Sequence, residues 1–251
     1  PSFDEEAFQY GLALSAAKFD RTVSDYNLLT KEDIAEILPR LHVAERLVSA
    51  TADSLYYSEK IPFGFNYIMK SLDFACDASS GDHGCHVSGI AAANQYVPYR
   101  DEDGDVYFDT QENGVTGVAP DAQILAMKVF SDGWGAYDAD YMAAIEDAIL
   151  LGCDSVNLSL GSATAGRSYS SSYEELFQSL LESDTVVTIS AGNNGAWGDN
   201  NLSGTGLNLT TDVRMHSGGS PGSYTNSFTI ASVDNTGLTG QVAFFNGAAS
   251  A

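Results

Sequence analysis

Apolar and polar positions change their spacing about a quarter of the way along this chain. Residues 1–58 follow a mixed pattern of helix and loop. Thr30, with Asp33 three residues later, resembles a capping box that opens a helix. Ile34, Ile37, Leu38 and Leu41 then give a stripe of helical spacing that Pro39 interrupts. This part reads as a surface excursion attached to a core that begins later. From residue 59 the pattern alternates. Ile61–Tyr67 predicts a strand, residues 82–94 an Ala- and Gly-rich helix, and residues 123–130 a continuous apolar strand. Residues 137–151 predict a helix with Met142, Ile145, Ile149 and Leu150 on its apolar positions, ended by Gly152. A strand at 154–160, a helix at 173–183 and strands at 185–190 and 227–233 follow. Strands alternating with helices of this length predict an α/β fold, a parallel sheet flanked by helices. The expected organisation is a helical and loop insertion over 1–58 and an α/β core over 59–251. Residues 198–224, rich in Gly, Ser and Asn, read as a long loop.

Composition narrows the function classes. Of 251 residues, 44% are hydrophobic and 18% charged, which suits a folded globular chain. No apolar run approaches the length of a membrane span. Eleven basic residues face 34 acidic ones, a formal net charge of -23. That argues against a nucleic-acid partner, which needs clustered Lys and Arg, and it favours divalent cations as local neutralisers. Most of these carboxylates read as a solvated surface. The three cysteines, Cys76, Cys85 and Cys153, cannot all pair internally and are spaced too widely for a zinc motif. Cys85 and Cys153 fall inside apolar elements and read as small buried residues. Asn157, Asn201 and Asn208 each open an Asn-x-Ser/Thr triplet, and at Asn157, within an expected core strand, the match reads as chance.

The acidic residues are densest at 101–112. Asp101, Asp103, Asp105, Asp109 and Glu112 occupy positions 1, 3, 5, 9 and 12 of that stretch, as oxygen ligands do in an EF-hand. Position 6 is Val106 where a glycine is expected, Gly104 comes two places early, and no clear helix precedes the stretch. Structural calcium is one reading and an acidic surface insertion the other.

The segment Gly81-Asp82-His83-Gly84-Cys85-His86-Val87-Ser88-Gly89-Ile90 resembles the histidine motif of the subtilases, His-Gly-Thr-His-Val-Ala-Gly, with Cys85 for Thr and Ser88 for Ala. The resemblance implies a subtilisin-like fold and serine-type peptidase chemistry. His83 would be the general base, taking a proton from the serine and returning it to the leaving amine, a task that suits an imidazole titrating near neutrality. His86 would be buried and hydrogen-bonded. His42 and His216 carry no motif.

Three further segments match the family in order. Gly117-Val118-Ala119-Pro120, followed by Ala126-Met127-Lys128-Val129, is similar to the stretch that leads to the substrate edge, and Gly133-Trp134-Gly135 to the stretch whose backbone pairs with bound peptide. Val156-Asn157-Leu158-Ser159-Leu160-Gly161 resembles the strand that pairs with peptide from the other side, with Gly161 opening the primary specificity pocket. Ile189-Ser190-Ala191-Gly192-Asn193-Asn194-Gly195 resembles the Ala-Gly-Asn-x-Gly motif, in which Asn193 would donate to the oxyanion. Residues 58–67 and Pro1-Ser2-Phe3 look like segments of the lactocepin-like cell-envelope proteinases. The family's aspartate motif, Asp-Ser/Thr-Gly, and its serine motif, Gly-Thr-Ser-Met-Ala, do not occur in these 251 residues. Ser217-Gly218-Gly219-Ser220-Pro221-Gly222 matches a family loop that carries no nucleophile. The expectation is a piece of a secreted or cell-wall-associated serine endopeptidase acting on polypeptides, incomplete at both ends, inactive by itself and needing no cofactor. The alternative is a non-catalytic peptide-binding module with the same cleft.

Overall fold

The computed structural model describes residues 2–75, 82–110, 115–131, 135–161, 171–192, 219–224 and 228–231, and the backbone of 243–245 and 248–250. The chain forms two compact units, residues 1–156 with 169–187, and residues 157–168 with 188–251.

The first unit opens with α1 (Glu5–Lys18). Asp4 starts it from an extended conformation, its carboxylate accepting from the Ala7 N–H at 2.9 Å. Glu5 and Glu6 in the first turn and Lys18 in the last match the helix dipole. The capping box expected at Thr30 is present: Thr30 Oγ1 accepts from the Asp33 N–H at 3.2 Å, and Asp33 accepts from the Thr30 N–H at 2.8 Å. It opens α2 (Lys31–Ile37), and Pro39 turns the chain into a 3-10 segment, Leu38–Arg40. Two short helices follow, α3 (His42–Arg46) and α4 (Ala52–Leu55).

This helical stretch is not a surface excursion. Ile34, Leu41, Val43 and Leu55 are fully buried in one core with Phe63, Phe65, Tyr67, Ala143, Ala144 and Leu151. The unit boundary accordingly does not fall at residue 58. The physical reason lies in β1 (Phe63–Asn66), which is buried at every position. Its period-two alternation puts Phe63, Phe65 and Tyr67 on one face, where aromatic rings need a cover. Each such side chain, fully buried, contributes about 1.5–3 kcal/mol, and the helical stretch supplies much of that cover. Gly64 faces the other way, where a Cβ would lie 2.1 Å from the Phe74 ring.

β1 pairs in parallel with β4 (Leu125–Lys128), Phe63 opposite Leu125 and Asn66 opposite Lys128. Between them in sequence lie α5 (His83–Ala92) and the antiparallel hairpin β2 (Tyr96–Arg100) and β3 (Val106–Thr110). The hairpin seats on α1 through Tyr10, stacked 4.3 Å from Phe108 and edge-on to Tyr96 at 5.1 Å. The continuous strand expected at 123–130 is split. β4 ends at Lys128, and β5 (Phe130–Ser131) folds back against β6 (Gly135–Ala136). Gly135 takes φ +74, a left-handed value that glycine adopts without strain.

α6 (Asp138–Leu150) ends as the sequence predicts. Gly152 sits at φ +76, its N–H donates to Ile149 O at 3.0 Å, and the Cys153 N–H donates to Ala148 O at 3.1 Å, a Schellman closure. The buried face of α6 differs from the apolar stripe read in the sequence: Tyr141, Ala143, Ala144, Ile145 and Ala148 are buried, whereas Met142, Ile149 and Leu150 are half-buried. α7 (Ser171–Glu182) buries Tyr173, Leu176, Phe177 and Leu180 at helical spacing and meets α6 where Tyr173 lies 5.9 Å from Tyr141. β7 (Ser155–Leu158), β8 (Val186–Ser190) and β9 (Phe228–Ile230) form a sheet in that order, β8 and β9 in parallel. Two short strands, β10 (Ala243–Phe245) and β11 (Ala248–Ser250), pair antiparallel. No described helix is long and apolar enough to cross a membrane.

Two buried polar groups hold the first unit together. Asp147, inside α6, accepts from the His42 and Val43 N–H groups at 2.7 and 3.3 Å and from the Tyr67 hydroxyl at 2.9 Å. Burial holds its carboxyl above the usual range, against the pull of these donors. Lys60 is fully buried, its Nζ donating to Pro120 O at 2.7 Å and Ala122 O at 2.6 Å, 4.8 Å from the Phe8 ring centroid. Burial pulls its ammonium down to about 8, and the nearby Asp121 works against that shift.

Candidate active site

His83 is the first residue of α5 and is exposed. The Asp82 side chain makes no capping bond, and the first turn is closed by the His86 N–H donating to Asp82 O at 2.9 Å. An added Cβ at Gly84 would meet nothing within 4 Å, so the position beside the imidazole is open. Burial begins at Gly89 and Ala92. His86 is exposed, which corrects the buried, hydrogen-bonded role expected for it. With Cys85 half-buried, the inward stripe runs Cys85, Gly89, Ala92, and His86 lies roughly 100° off that line.

The far end of the helix is clamped by the segment Gly117-Val118-Ala119. Its N–H groups donate to Ala93 O at 2.9 Å, Ile90 O at 3.0 Å and Ala91 O at 2.9 Å, satisfying carbonyls that a helix end leaves open. A Cβ on Gly117 would lie 2.4 Å from the Ala93 nitrogen, so glycine is what permits this approach. The same segment continues to Pro120 and Ala122, whose carbonyls Lys60 holds. Lys60 thus links β1 to the clamp on the His83 helix. Sequence reading did not single Lys60 out; a lysine directly before an apolar strand is the signal that was there.

Cys85 is disulfide-bonded, so its reading as a plain small buried residue does not hold. Cys153 is a half-buried free thiol, and burial, with Asp154 nearby, pushes it up to about 12. Cys76 lies outside the described residues.

In the second unit, Ser159, Leu160 and Gly161 continue from β7. Asn157 Nδ2 donates to Ser159 Oγ at 3.0 Å, and Ser190 Oγ on β8 donates to Leu160 O at 3.1 Å, holding the segment beside that strand. Asn157 is exposed rather than part of the core. Gly161 is exposed and lies against the loop 219–224: a Cβ there would come within 3.2 Å of Ser220 O. That loop is tied to the end of β8 by the Gly219 N–H donating to Ala191 O at 2.9 Å, and Gly192 beside it takes φ +89. Ser220 is buried, and its hydroxyl has no hydrogen-bond partner among the described residues. Gly135 is described on β6, whereas Gly133, Trp134 and Asn193 lie outside the described residues.

The acidic stretch is a strand hairpin, not a helix-flanked loop. Asp101 Oδ1 accepts from the Asp103 N–H at 3.0 Å and the Asp105 N–H at 2.9 Å, and Gly104, at φ +89, closes the turn. Asp109 is on β3, where side chains alternate between faces, and Glu112 lies outside the described residues. Among the described residues no group of three or more His, Cys, Asp or Glu side chains is placed to hold a metal ion.

The subtilase family profile matches residues 66–250, and the chain belongs to that family. Its fold is α/β, with helices and parallel strands in the subtilisin-like arrangement. It is 33% identical over 220 residues to the PIII-type proteinase of Lactococcus lactis subsp. cremoris (strain SK11), a match covering 85% of this chain and 10% of that protein. It is 32% identical over 229 residues to the PII-type proteinase of Lacticaseibacillus paracasei, covering 88% of this chain and 11% of that protein. Subtilisin DY of Bacillus licheniformis is 35% identical over 123 residues, 49% of this chain and 38% of that one. Among solved structures, Sphericase matches with a TM-score of 0.40 and 25% identity over 65% of this chain and 41% of that one. The chain therefore spans about a tenth of the length of the two proteinases.

Proposed function

We propose that this chain is part of the peptidase domain of a serine-type endopeptidase, with His83 as its general base. The observation that carries the reading is His83 itself: an exposed imidazole on the first turn of a helix clamped at its other end, inside the family match. There it would take the serine proton during attack on a peptide carbonyl and return it to the departing amine. Asn193 would donate to the oxyanion, and the Ser159–Gly161 segment and Gly133–Gly135 would hold the peptide as an added strand. The substrate is a polypeptide, no step calls for a cofactor, and by family resemblance the setting is secreted or cell-wall-associated. Neither the Asp-Ser/Thr-Gly nor the Gly-Thr-Ser-Met-Ala motif occurs in the sequence, so the 251 residues by themselves are expected not to hydrolyse peptide bonds.

The test has two arms. The purified 251-residue chain is assayed on a fluorogenic peptide, and the longest polypeptide expressed from its gene is assayed with and without His83→Ala. The reading requires no turnover from the first. It also requires turnover from the second that falls by several orders of magnitude in kcat on substitution. Hydrolysis by the short chain that His83→Ala abolishes, or full activity in the long one despite it, overturns the assignment. Peptide binding without turnover in either form would favour the peptide-binding module instead.

A further inference from the structure

The end of α5 away from His83 is a joint between three segments of the chain. At Ala93 the backbone turns out of the helix, with φ -58 and ψ 140. The next residue, Asn94, is 1% exposed. Its main-chain N–H donates to Ser2 O at 2.9 Å, and its side-chain Nδ2 donates to Asp4 O at 2.5 Å. Asp4 O also accepts from the Phe8 N–H at 3.0 Å, so the Asn94 amide reaches into the opening turn of α1. Asparagine side chains commonly bond backbone within a few residues of themselves. This one bonds a residue 90 positions away.

The third segment is 117–122. Its N–H groups hold the carbonyls of Ile90, Ala91 and Ala93. Further along it the Asp121 carboxylate accepts from Ser15 Oγ on α1 at 2.5 Å, and Lys60 fastens the Pro120 and Ala122 carbonyls. Hydrogen bonds therefore run around a closed loop. They pass from α5 to 117–122, from there to the body of α1, and from the start of α1 back to α5 through Asn94.

We propose that Asn94 is a positioning residue for His83: it sets the angle at which α5 leaves this joint, and the helix carries that angle to the imidazole at its other end. α5 has 10 residues, which at a rise of about 1.5 Å each places His83 about 15 Å from the joint. A turn of about 4° at the joint thus moves the imidazole by about 1 Å, and a misplacement of that size costs on the order of 10²-fold in rate. Asn94→Ala removes the side-chain bond and leaves the main-chain bond to Ser2 O, so the joint loosens without coming apart. The catalytic consequence rests on reading His83 as the base; the joint itself does not.

The test has two readouts, each taken where circular dichroism shows the variant fully folded. In the 251-residue chain the His83 ring-proton signals in the NMR spectrum should move in Asn94→Ala. They should not move in Thr30→Ala, which removes the cap of α2 and destabilises the chain elsewhere. In the longest polypeptide expressed from the gene, Asn94→Ala should lower kcat by about 10- to 100-fold with KM within about threefold, and Thr30→Ala should leave both within about twofold. An asparagine that served stability alone would leave the folded His83 signals and kcat in place. Should Asn94→Ala not fold, Asn94→Ser, which keeps a short polar side chain, carries the same comparisons. Unmoved His83 signals, an unchanged kcat in a polypeptide that turns over, or equal changes in Thr30→Ala overturn the positioning role. A wild-type polypeptide without turnover would overturn the peptidase reading instead and leave the NMR comparison to decide the joint.

Discussion

Replacing Lys60 by methionine tests how the core is coupled to the helix of His83. The methionine keeps most of the length of the lysine stem, so packing against Phe8 persists, but it removes the charge and both donors to Pro120 O and Ala122 O. Two opposing effects follow. The wild-type ammonium is held at about 8 instead of 10.5, and that gap corresponds to about 3 kcal/mol of burial penalty below pH 8, which Lys60→Met relieves. Against this, each lost charge-assisted bond costs about 1.5–3 kcal/mol. At pH 7 the variant should therefore be less stable by no more than about 3 kcal/mol. The pH dependence separates the two effects. The folded pKa lies below the unfolded one, so between about 8 and 10.5 the unfolded state binds more protons and stability due to Lys60 rises with pH. Urea unfolding of both proteins from pH 7 to 10.5 should show the wild type gaining about 3 kcal/mol on Lys60→Met across that window. Groups common to both proteins cancel in the difference. Parallel curves would mean that Lys60 is not a buried cation and would break the proposed chain of support from β1 to α5.

Three other outcomes are expected. Gly117→Ala forces a Cβ to within 2.4–2.5 Å of backbone atoms of Ala92 and Ala93, which cannot yield as a side chain can. It should destabilise the chain by about 3 kcal/mol or more in urea unfolding and speed amide exchange in α5. Asp147→Ala leaves the His42 and Val43 N–H groups and the Tyr67 hydroxyl without their acceptor, and should cost about 3 kcal/mol or more, with Asp147→Asn recovering part. Raising the Cys153 thiol from 9.0 to about 12 cuts its thiolate about a thousandfold, and the greater basicity of that thiolate restores a factor of roughly 20. Alkylation by iodoacetamide at pH 8, followed by mass spectrometry, should thus run roughly 50-fold slower in the native chain than after denaturation.

Local chemistry was legible in the sequence wherever it is decided by neighbours in the chain. The Thr30–Asp33 box, the stop at Pro39, the glycine ending of α6 and the helix opening at His83 all depend on residues within one turn of each other. The alternation of strand and helix, set by hydrophobic spacing, likewise placed the chain in the α/β class, and the motif around His83 placed it in the subtilase family.

What the pattern did not contain depends on partners far away in sequence. A stripe such as Ile34 and Leu41 says that a face must be covered, not by what. Only the rings of Phe63, Phe65 and Tyr67, brought alongside, made residues 1–58 part of the core. Nothing in the pattern marked Lys60 or Asp147 as buried; folding set carbonyls, amides and a phenol around them. The acidic spacing at 101–112 matched a metal loop in register, and only the pairing of Tyr96–Arg100 with Val106–Thr110 showed that residues 101–105 form the turn of a hairpin. The sequence by itself determined the family and which imidazole its resemblance singles out, because the motif around His83 is read from neighbours in the chain. Only the tertiary structure decided what holds the helix of His83 in place, because the clamp and the buried cation behind it come from segments 23 to 36 residues away.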